Sequence, residues 1–370
     1  MTSTRQSAAF VHDAPGVLGV LIANLGTPER PTPEAVRRYL AEFLSDPRVV
    51  EFPRLPWWLI LHGFILRFRP ARVARNYARI WTPEGSPLLV TARAQESALQ
   101  RELERRLRLP VKVALGMRYG QPSIESAMTE LRKAGCRRLV VLPLYPQYSS
   151  TTTASIFDAV MRVLMTWRWI PETRLIQHYH DHPEYIEALT ASIQRVWAKE
   201  GRPDRLLFSF HGIPKRYQRD GDPYFCECHK TARLVAERLR LEPERWQVAF
   251  QSRFGHEEWL RPYVDETLTE WAKQGIETVH VVAPGFSADC LETLEELNLQ
   301  NRERFLKAGG SRFEYIPALN AHPSHIEALA SLVERHLCGW PEADPQYSLD
   351  RDRLERRERL ARARALGADT

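Results

Sequence analysis

Short apolar, β-branched runs alternate with longer amphipathic stretches along most of the chain. Eight runs read as strands: VLGVLIANL (17–25), VKVALGMRY (111–119), RLVVLPLY (138–145), TRLIQHY (173–179), RLLFSF (205–210), WQVAFQS (246–252), ETVHVVAP (277–284) and FEYIPAL (313–319). Each ends in turn residues and leads into a helix-like segment, the signature of parallel βαβ units. The runs are almost continuously apolar, as strands covered on both faces must be. Stretches such as PTPEAVRRYLAEFL (31–44) and PEYIEALTASIQRVWAKE (183–200) fill the gaps as helices. Four strands precede about Thr190 and four follow it.

The two groups of strands resemble each other at their ends. NLGTPE closes the first strand of one half and FHGIPK the first strand of the other; RYGQPS and SRFGHEEW close the second strands. One reading is a repeat, two doubly wound α/β domains facing each other. Ordinary turn chemistry, which draws Gly and Pro to any strand end, leaves the other reading open. The expected organisation is a flexible N-terminus at 1–15, an N-terminal α/β domain at 16–185 and a C-terminal α/β domain at 186–340. A charged, helical extension with a solvated face follows at 341–370, in DRDRLERRERLARARALGADT.

A length of 370 residues agrees with two domains, and 44% hydrophobic and 26% charged residues with a soluble globular chain. The net charge of +6 favours anionic partners, a carboxylate-bearing ligand or acidic lipid. No DNA- or RNA-reading motif accompanies that charge, so no nucleic-acid partner is expected. Five irregularly spaced cysteines argue against a disulfide framework and for a reducing compartment. The opening MTSTRQSAAFVHDAPG has no apolar core of signal-peptide length. The longest apolar run, LPWWLILHGFIL (55–66), falls short of the ~20 residues a spanning helix needs. The expectation is a cytoplasmic protein, at most peripheral to a membrane.

Ligands of open parallel sheets bind at the carboxyl ends of the strands. There the chain carries His211 with Gln251 and Ser252, and Arg118 and Tyr119 with the Tyr145 segment. In APGFSADCLETLEEL (283–297) a helix beginning near Ala288 or Asp289 would set Glu292 and Glu296 on one face, with Asp289 one turn earlier. Such a row suits a metal ion or the removal of protons, or it is an acidic first turn favoured by the helix dipole.

Three further stretches draw notice. CxC followed directly by His in Cys226-Glu227-Cys228-His229 lacks the spacing of a zinc knuckle and reads as structural. His178, His180 and His182 alternate, which in an extended segment puts them on one side, and they read as a loop with opportunistic metal affinity. Trp57, Trp58, Phe64 and Phe68 run into Arg67, Arg69, Arg72, Arg75 and Arg79. Adjacent apolar and basic surfaces suit a membrane interface, a flat apolar ligand bearing carboxylates, or a core helix with a basic outer face.

Taken in order, NLGTPE, RIWTPEGSPL, GMRYGQPSI, LPLYPQYSSTTTAS, FSFHGIPKRY, GDPYFCECHKTA, FQSRFGHEEWLRPYVDE and PGFSADCLETLEEL resemble the ferrochelatase family over about 17–336. The resemblance implies two similar Rossmann-like domains, each a four-stranded parallel sheet flanked by helices, with a cleft between them. It implies insertion of Fe(II) into protoporphyrin IX with release of two protons, as the last step of haem biosynthesis. Coproporphyrin III as substrate, or a non-catalytic porphyrin binder on the same fold, are the alternatives. It also implies that His211 and Glu292 are catalytic and touch the metal, that Glu296 and Asp289 continue a proton path, and that Tyr119, Arg118, Tyr145, Arg79 and Ser252 bind porphyrin. The segment 52–80 would be the active-site lip, in peripheral contact with membrane.

Iron and porphyrin would then be substrates, with no permanently bound cofactor. Some members carry a [2Fe–2S] cluster on C-terminal cysteines. Here only Cys338 lies in that region, so no cluster is expected. Cys290 stands where some members have histidine, and Phe250 where some have tryptophan.

Overall fold

The computed structural model describes residues 13, 16–255, 257–344 and 346–368. The expectation of a flexible segment at 1–15 falls, Asp13 apart, outside the described residues.

All eight apolar runs form strands: β1 Val17–Gly26, β2 Val111–Tyr119, β3 Cys136–Pro143, β4 Glu172–Leu175, β5 Arg205–His211, β6 Trp246–Gln251, β7 Thr278–Val282 and β8 Arg312–Ile316. They build two four-stranded sheets of the same order, β2-β1-β3-β4 and β6-β5-β7-β8, and every pairing is parallel. The repeat suggested by the strand ends is therefore a repeat of topology. The chain is an α/β protein of two similar units.

Side chains alternate along each strand, and that alternation divides the cores. Leu18, Val20 and Ile22 of β1 face the same apolar cluster as Leu206, Phe208 and Phe210 of β5. Helices Pro87–Arg106, Pro183–Glu200, Tyr224–Leu239 and Pro323–Arg335 contribute Leu99, Ile186, Val235 and Leu329 to it. One core thus joins both sheets. Leu21 and Ala23 face a separate cluster on the outer side of the first sheet, and Leu207 faces another on the outer side of the second. The expected domain boundary at 185/186 falls inside helix Pro183–Glu200, which packs into the shared core.

In each sheet the chain leaves the first strand on one side and later returns on the other. This puts a topological switch point between β1 and β3, and another between β5 and β7. Residues 52–80 form a helical arm beside the first. Helix Arg54–Ile60 runs through a widened π turn at Leu61–Ile65 into helix Leu66–Ile80. Leu61, Leu66, Ala74 and Tyr77 pack on helix Pro33–Leu44, while Leu55, Trp58, Phe64 and Phe68 face outward, each more than half exposed. At the C-terminus, helix Leu349–Ala365 buries none of its residues.

Gly26 ends β1 at φ +109°, and a Cβ there would lie 1.8 Å from the Tyr119 carbonyl oxygen. Only glycine lets the ends of β1 and β2 approach so closely. Gly26→Ala is expected to lower unfolding stability by more than ~1 kcal/mol in a denaturant titration. Unchanged stability would mean that the strand ends part freely.

Candidate active site

β5 ends in His211 and β6 in Gln251, both delivered to the strand ends by the in-register pairs from Leu206↔Trp246 to His211↔Gln251. The His211 ring is half-buried, and its Nδ1 lies 2.7 Å from the Gly212 carbonyl oxygen. A carbonyl can only accept, so Nδ1 carries a proton, and the neutral ring has its lone pair on Nε2, where a proton or a metal can bind.

After β7 the chain turns through Pro284–Gly285 and enters a helix at Leu291. From Glu292 to Asn301 this helix is a π helix, with i→i+5 bonding that widens each turn. Glu296 is partly buried in it. Its carboxylate accepts from the Ser252 backbone N–H at 2.9 Å and from the Ser252 hydroxyl. Ser252 reaches both oxygens because it sits at φ +67°, the left-handed region that a non-glycine residue seldom adopts. Gln251 Nε2 donates to the Glu292 carbonyl at 3.0 Å, and its Oε1 accepts from the Ser209 hydroxyl at 2.6 Å. The acidic helix is thus pinned to the strand end that carries His211.

Burial raises the Glu296 pKa above the ordinary glutamate value. The Ser252 hydroxyl and a charge on His211 oppose that rise, and the Glu292 charge adds to it. Glu296 is therefore a carboxylate with increased proton affinity, electrostatically linked to both His211 and Glu292.

Glu292 opens instead into a cleft between the first switch point and the turn after β7; His211 does not line it. Asn24 and Thr27 line it from the end of β1, Tyr145 from the end of β3, and Cys290 and Glu292 from beyond β7. Tyr39 and Tyr77 complete its wall. Burial, with a contribution from the Glu292 charge, pushes Tyr39, Tyr77, Tyr145 and the Cys290 thiol well above their usual pKa values, so all four stay neutral. The Tyr145 hydroxyl is buried with no hydrogen-bond partner in the protein. The lining is an apolar, aromatic slot with one carboxylate, suited to a flat apolar ligand and a cation.

Three of the residues expected at the site make bonds that the sequence did not suggest. Asp289 precedes the acidic helix, which starts at Leu291. Its carboxylate accepts from the Tyr315 hydroxyl at 2.7 Å, Asn320 Nδ2 at 2.8 Å and the Thr293 hydroxyl at 3.1 Å, which ties the turn to the end of β8. Arg118 and Tyr119 do not line the cleft. The Arg118 guanidinium pairs with buried Asp46 and bonds Ser155, and the fully buried Tyr119 hydroxyl bonds Asp46 at 2.8 Å. Burial pushes the Asp46 carboxyl up, but bonds from Ser155, the Arg48 amide, Arg118 and Tyr119 outweigh it and hold the pKa below normal.

Arg79 is half-exposed, and its Nη1 contacts Glu295 Oε1 at 2.6 Å. That bridge joins the arm 52–80 to the acidic helix. Glu295, Asp46, Tyr39 and Tyr77 escaped the sequence reading. Tyr39 and Tyr77 lie within ordinary amphipathic helices, Asp46 in a loop and Glu295 beside the acidic pair, and only packing across the chain brings them to their partners.

The family model described as Ferrochelatase matches residues 17–337. A ferrochelatase of Nitrosococcus oceani is 59% identical over 97% of this chain and 97% of its own length. One from Thioalkalivibrio sulfidiphilus is 56% identical over 97% and 96%. Among solved structures, SirB from Bacillus subtilis with Fe3+ superposes with a TM-score of 0.52 at 14% identity, covering 87% of this chain and 96% of that one, a likeness of fold. The chain belongs to the ferrochelatase family, the enzymes that insert a metal ion into a porphyrin.

Proposed function

We propose that the chain inserts Fe(II) into protoporphyrin IX in this cleft, with His211 and Glu292 at the ring and Glu296 behind them as proton acceptor. The observation that carries the reading is one pairing. An imidazole with its Nδ1 already engaged stands in the field of a carboxylate whose proton affinity burial has raised. Free-base porphyrin holds two pyrrole N–H protons, and both must leave as iron takes the four nitrogens. The Nε2 lone pair of His211 can accept one of them or hand over the ion, and Glu296 supplies the next basic site. Nitrogen and oxygen donors suit Fe(II) without holding it as tightly as thiolates would hold softer ions.

The neutral Tyr39, Tyr77 and Tyr145 give the macrocycle an apolar wall. Arg79, which spends one of its N–H donors on Glu295, keeps others for a propionate. The outward Leu55, Trp58, Phe64 and Phe68, with Arg67, Arg72 and Arg75 nearby, form an apolar and basic face. Such a face suits an acidic bilayer surface from which a poorly soluble porphyrin enters. No helix among the described residues is long and apolar enough to cross a membrane, so contact through this face would be peripheral. The apolar lip also favours the dicarboxylate protoporphyrin over the tetracarboxylate coproporphyrin. Haem formation by this route would be the last step of its pathway and would take place on the cytoplasmic side. Reliance on a [2Fe–2S] cluster is not part of the reading, since Cys136, Cys228 and Cys290 are buried in three separate apolar clusters.

The deciding experiment mixes the protein anaerobically with protoporphyrin IX and Fe(II) and follows the porphyrin spectrum, with His211→Ala alongside. Wild-type metalation with a loss of at least ~100-fold in the variant is expected. Equal porphyrin binding without metalation in both proteins would make the chain a carrier and overturn the mechanism.

Two further outcomes follow from the same residues. A raised carboxyl pKa means that the native state favours protonated Glu296. The stability this contributes is complete below the ordinary glutamate pKa and is lost as pH rises through the raised value. Glu296→Gln, neutral at every pH, should therefore gain in melting temperature relative to wild type as pH rises from 4 to 8. A constant difference would place the Glu296 pKa at its ordinary value. Trp58→Asp should weaken use of protoporphyrin more than of coproporphyrin in steady-state assays; equal losses would remove the lip from substrate selection.

A further inference from the structure

Two stretches meet in space, one that reads from the sequence as structural and one that reads as a loop with opportunistic metal affinity. His178 and His180 lie just beyond β4, in the first half of the chain. Glu227 projects from helix Tyr224–Leu239 in the second. Its carboxylate sits between the two imidazoles. Oε1 is 2.7 Å from His178 Nδ1, and Oε2 is 3.2 Å from His180 Nδ1. One ligand atom from each residue lies within 4.8 Å of the other two. His182, the third histidine of the run, stands at the N-cap position of helix Pro183–Glu200 and is not part of the group.

Several features suggest that this group is more than a chance ion pair. His180 is only 6% exposed, and its Nδ1, though close to Glu227, makes no well-directed hydrogen bond. A buried imidazole nitrogen aimed at a carboxylate without bonding it is an unmet need. The surroundings hold the three side chains in place. The Tyr148 backbone N–H donates to Glu227 Oε2 at 2.7 Å, and the Thr231 hydroxyl donates to the His180 carbonyl at 2.7 Å. Burial pushes the Glu227 carboxyl up, but His180, the Tyr148 amide and His178 outweigh it and hold the pKa below normal, so the carboxylate is charged. Lys230, on the same helix as Glu227, pairs with Asp181 at 2.5 Å. His178 is 45% exposed, which leaves one side of the group open to water and to an arriving ion.

We propose that His178, His180 and Glu227 form a binding site for a divalent transition cation of the zinc type, separate from the cleft. Two imidazole nitrogens and one carboxylate oxygen, with an open side for water, match zinc and cobalt(II). They do not match calcium or magnesium, which prefer oxygen alone. Because the ligands come from both halves, the ion would bridge the seam between them. It stabilises the protein by binding the folded state.

The probe is cobalt(II), added to His211→Ala protein so that the proposed catalytic ligand is absent. Visible d–d absorption reports coordination. It is compared with the double variant His211→Ala/His178→Ala, whose second substitution removes an exposed side chain and leaves the core intact. Cobalt affinity should fall at least 10-fold with the loss of His178, and zinc should raise the melting temperature of the first protein but not of the second. Glu227→Gln, checked for folding by circular dichroism, should behave as His178→Ala does. Equal cobalt affinity and equal zinc-induced shifts in the paired proteins would overturn the site.

Discussion

The chemistry at the strand ends depends on one carboxylate partly withdrawn from water. Glu296 is held there by the amide and hydroxyl of a single serine in a left-handed conformation. Burial makes a charged carboxylate costly, and two directed donors offset that cost. The balance leaves the group with a raised affinity for a proton. It also fixes the acidic helix to β6, and so fixes Glu292 in the cleft relative to His211 on β5. If Ser252 lost this backbone geometry, the helix would lose its anchor and Glu296 its donors together.

The same economy appears in how the two sheets meet. Each strand sends one set of side chains outward and the other into a core shared with the opposite sheet. Four helices fill that shared core, so the two switch points are held opposite each other by close packing, which resists deformation. The cleft lies between the first of these points and the turn that follows β7. Polar groups cross the seam as well. Gln95 Nε2 donates to the Ser287 carbonyl at 2.9 Å, and the Tyr185 hydroxyl donates to the Pro284 carbonyl at 2.6 Å. Both grip the turn that leads into the acidic helix. The cleft is therefore built into the packing of the halves, and the helical arm 52–80 is the element placed over it with an unburied apolar face.

Local pattern and three-dimensional convergence can be separated residue by residue. Eight strands, their parallel sense and their division into two groups were legible, because an apolar run flanked by turn residues is a local signal with its own period. His211 was legible for the same reason, since a strand end is where an α/β sheet exposes chemistry. The Glu292–Glu296 pair was visible as spacing, but the π bonding and the later helix start were not. These arise from how the helix is clamped to Ser252, Gln251 and the Asp289 turn. Arg118 and Tyr119 looked like cleft residues by position and prove to be satisfied by Asp46, more than seventy positions away.

By itself, the sequence determined the class of fold, the family and the strand-end histidine, because each is written in neighbouring residues; the repeat it left open until the two sheets showed the same strand order. Tertiary structure alone decided which polar groups are free. It paired Arg118 with Asp46 and Arg79 with Glu295, gave Glu296 its raised proton affinity, and set Glu227 between two histidines from the other half. Proton affinity and coordination depend on what surrounds a group within a few ångströms, and in this protein those neighbours come from distant parts of the chain.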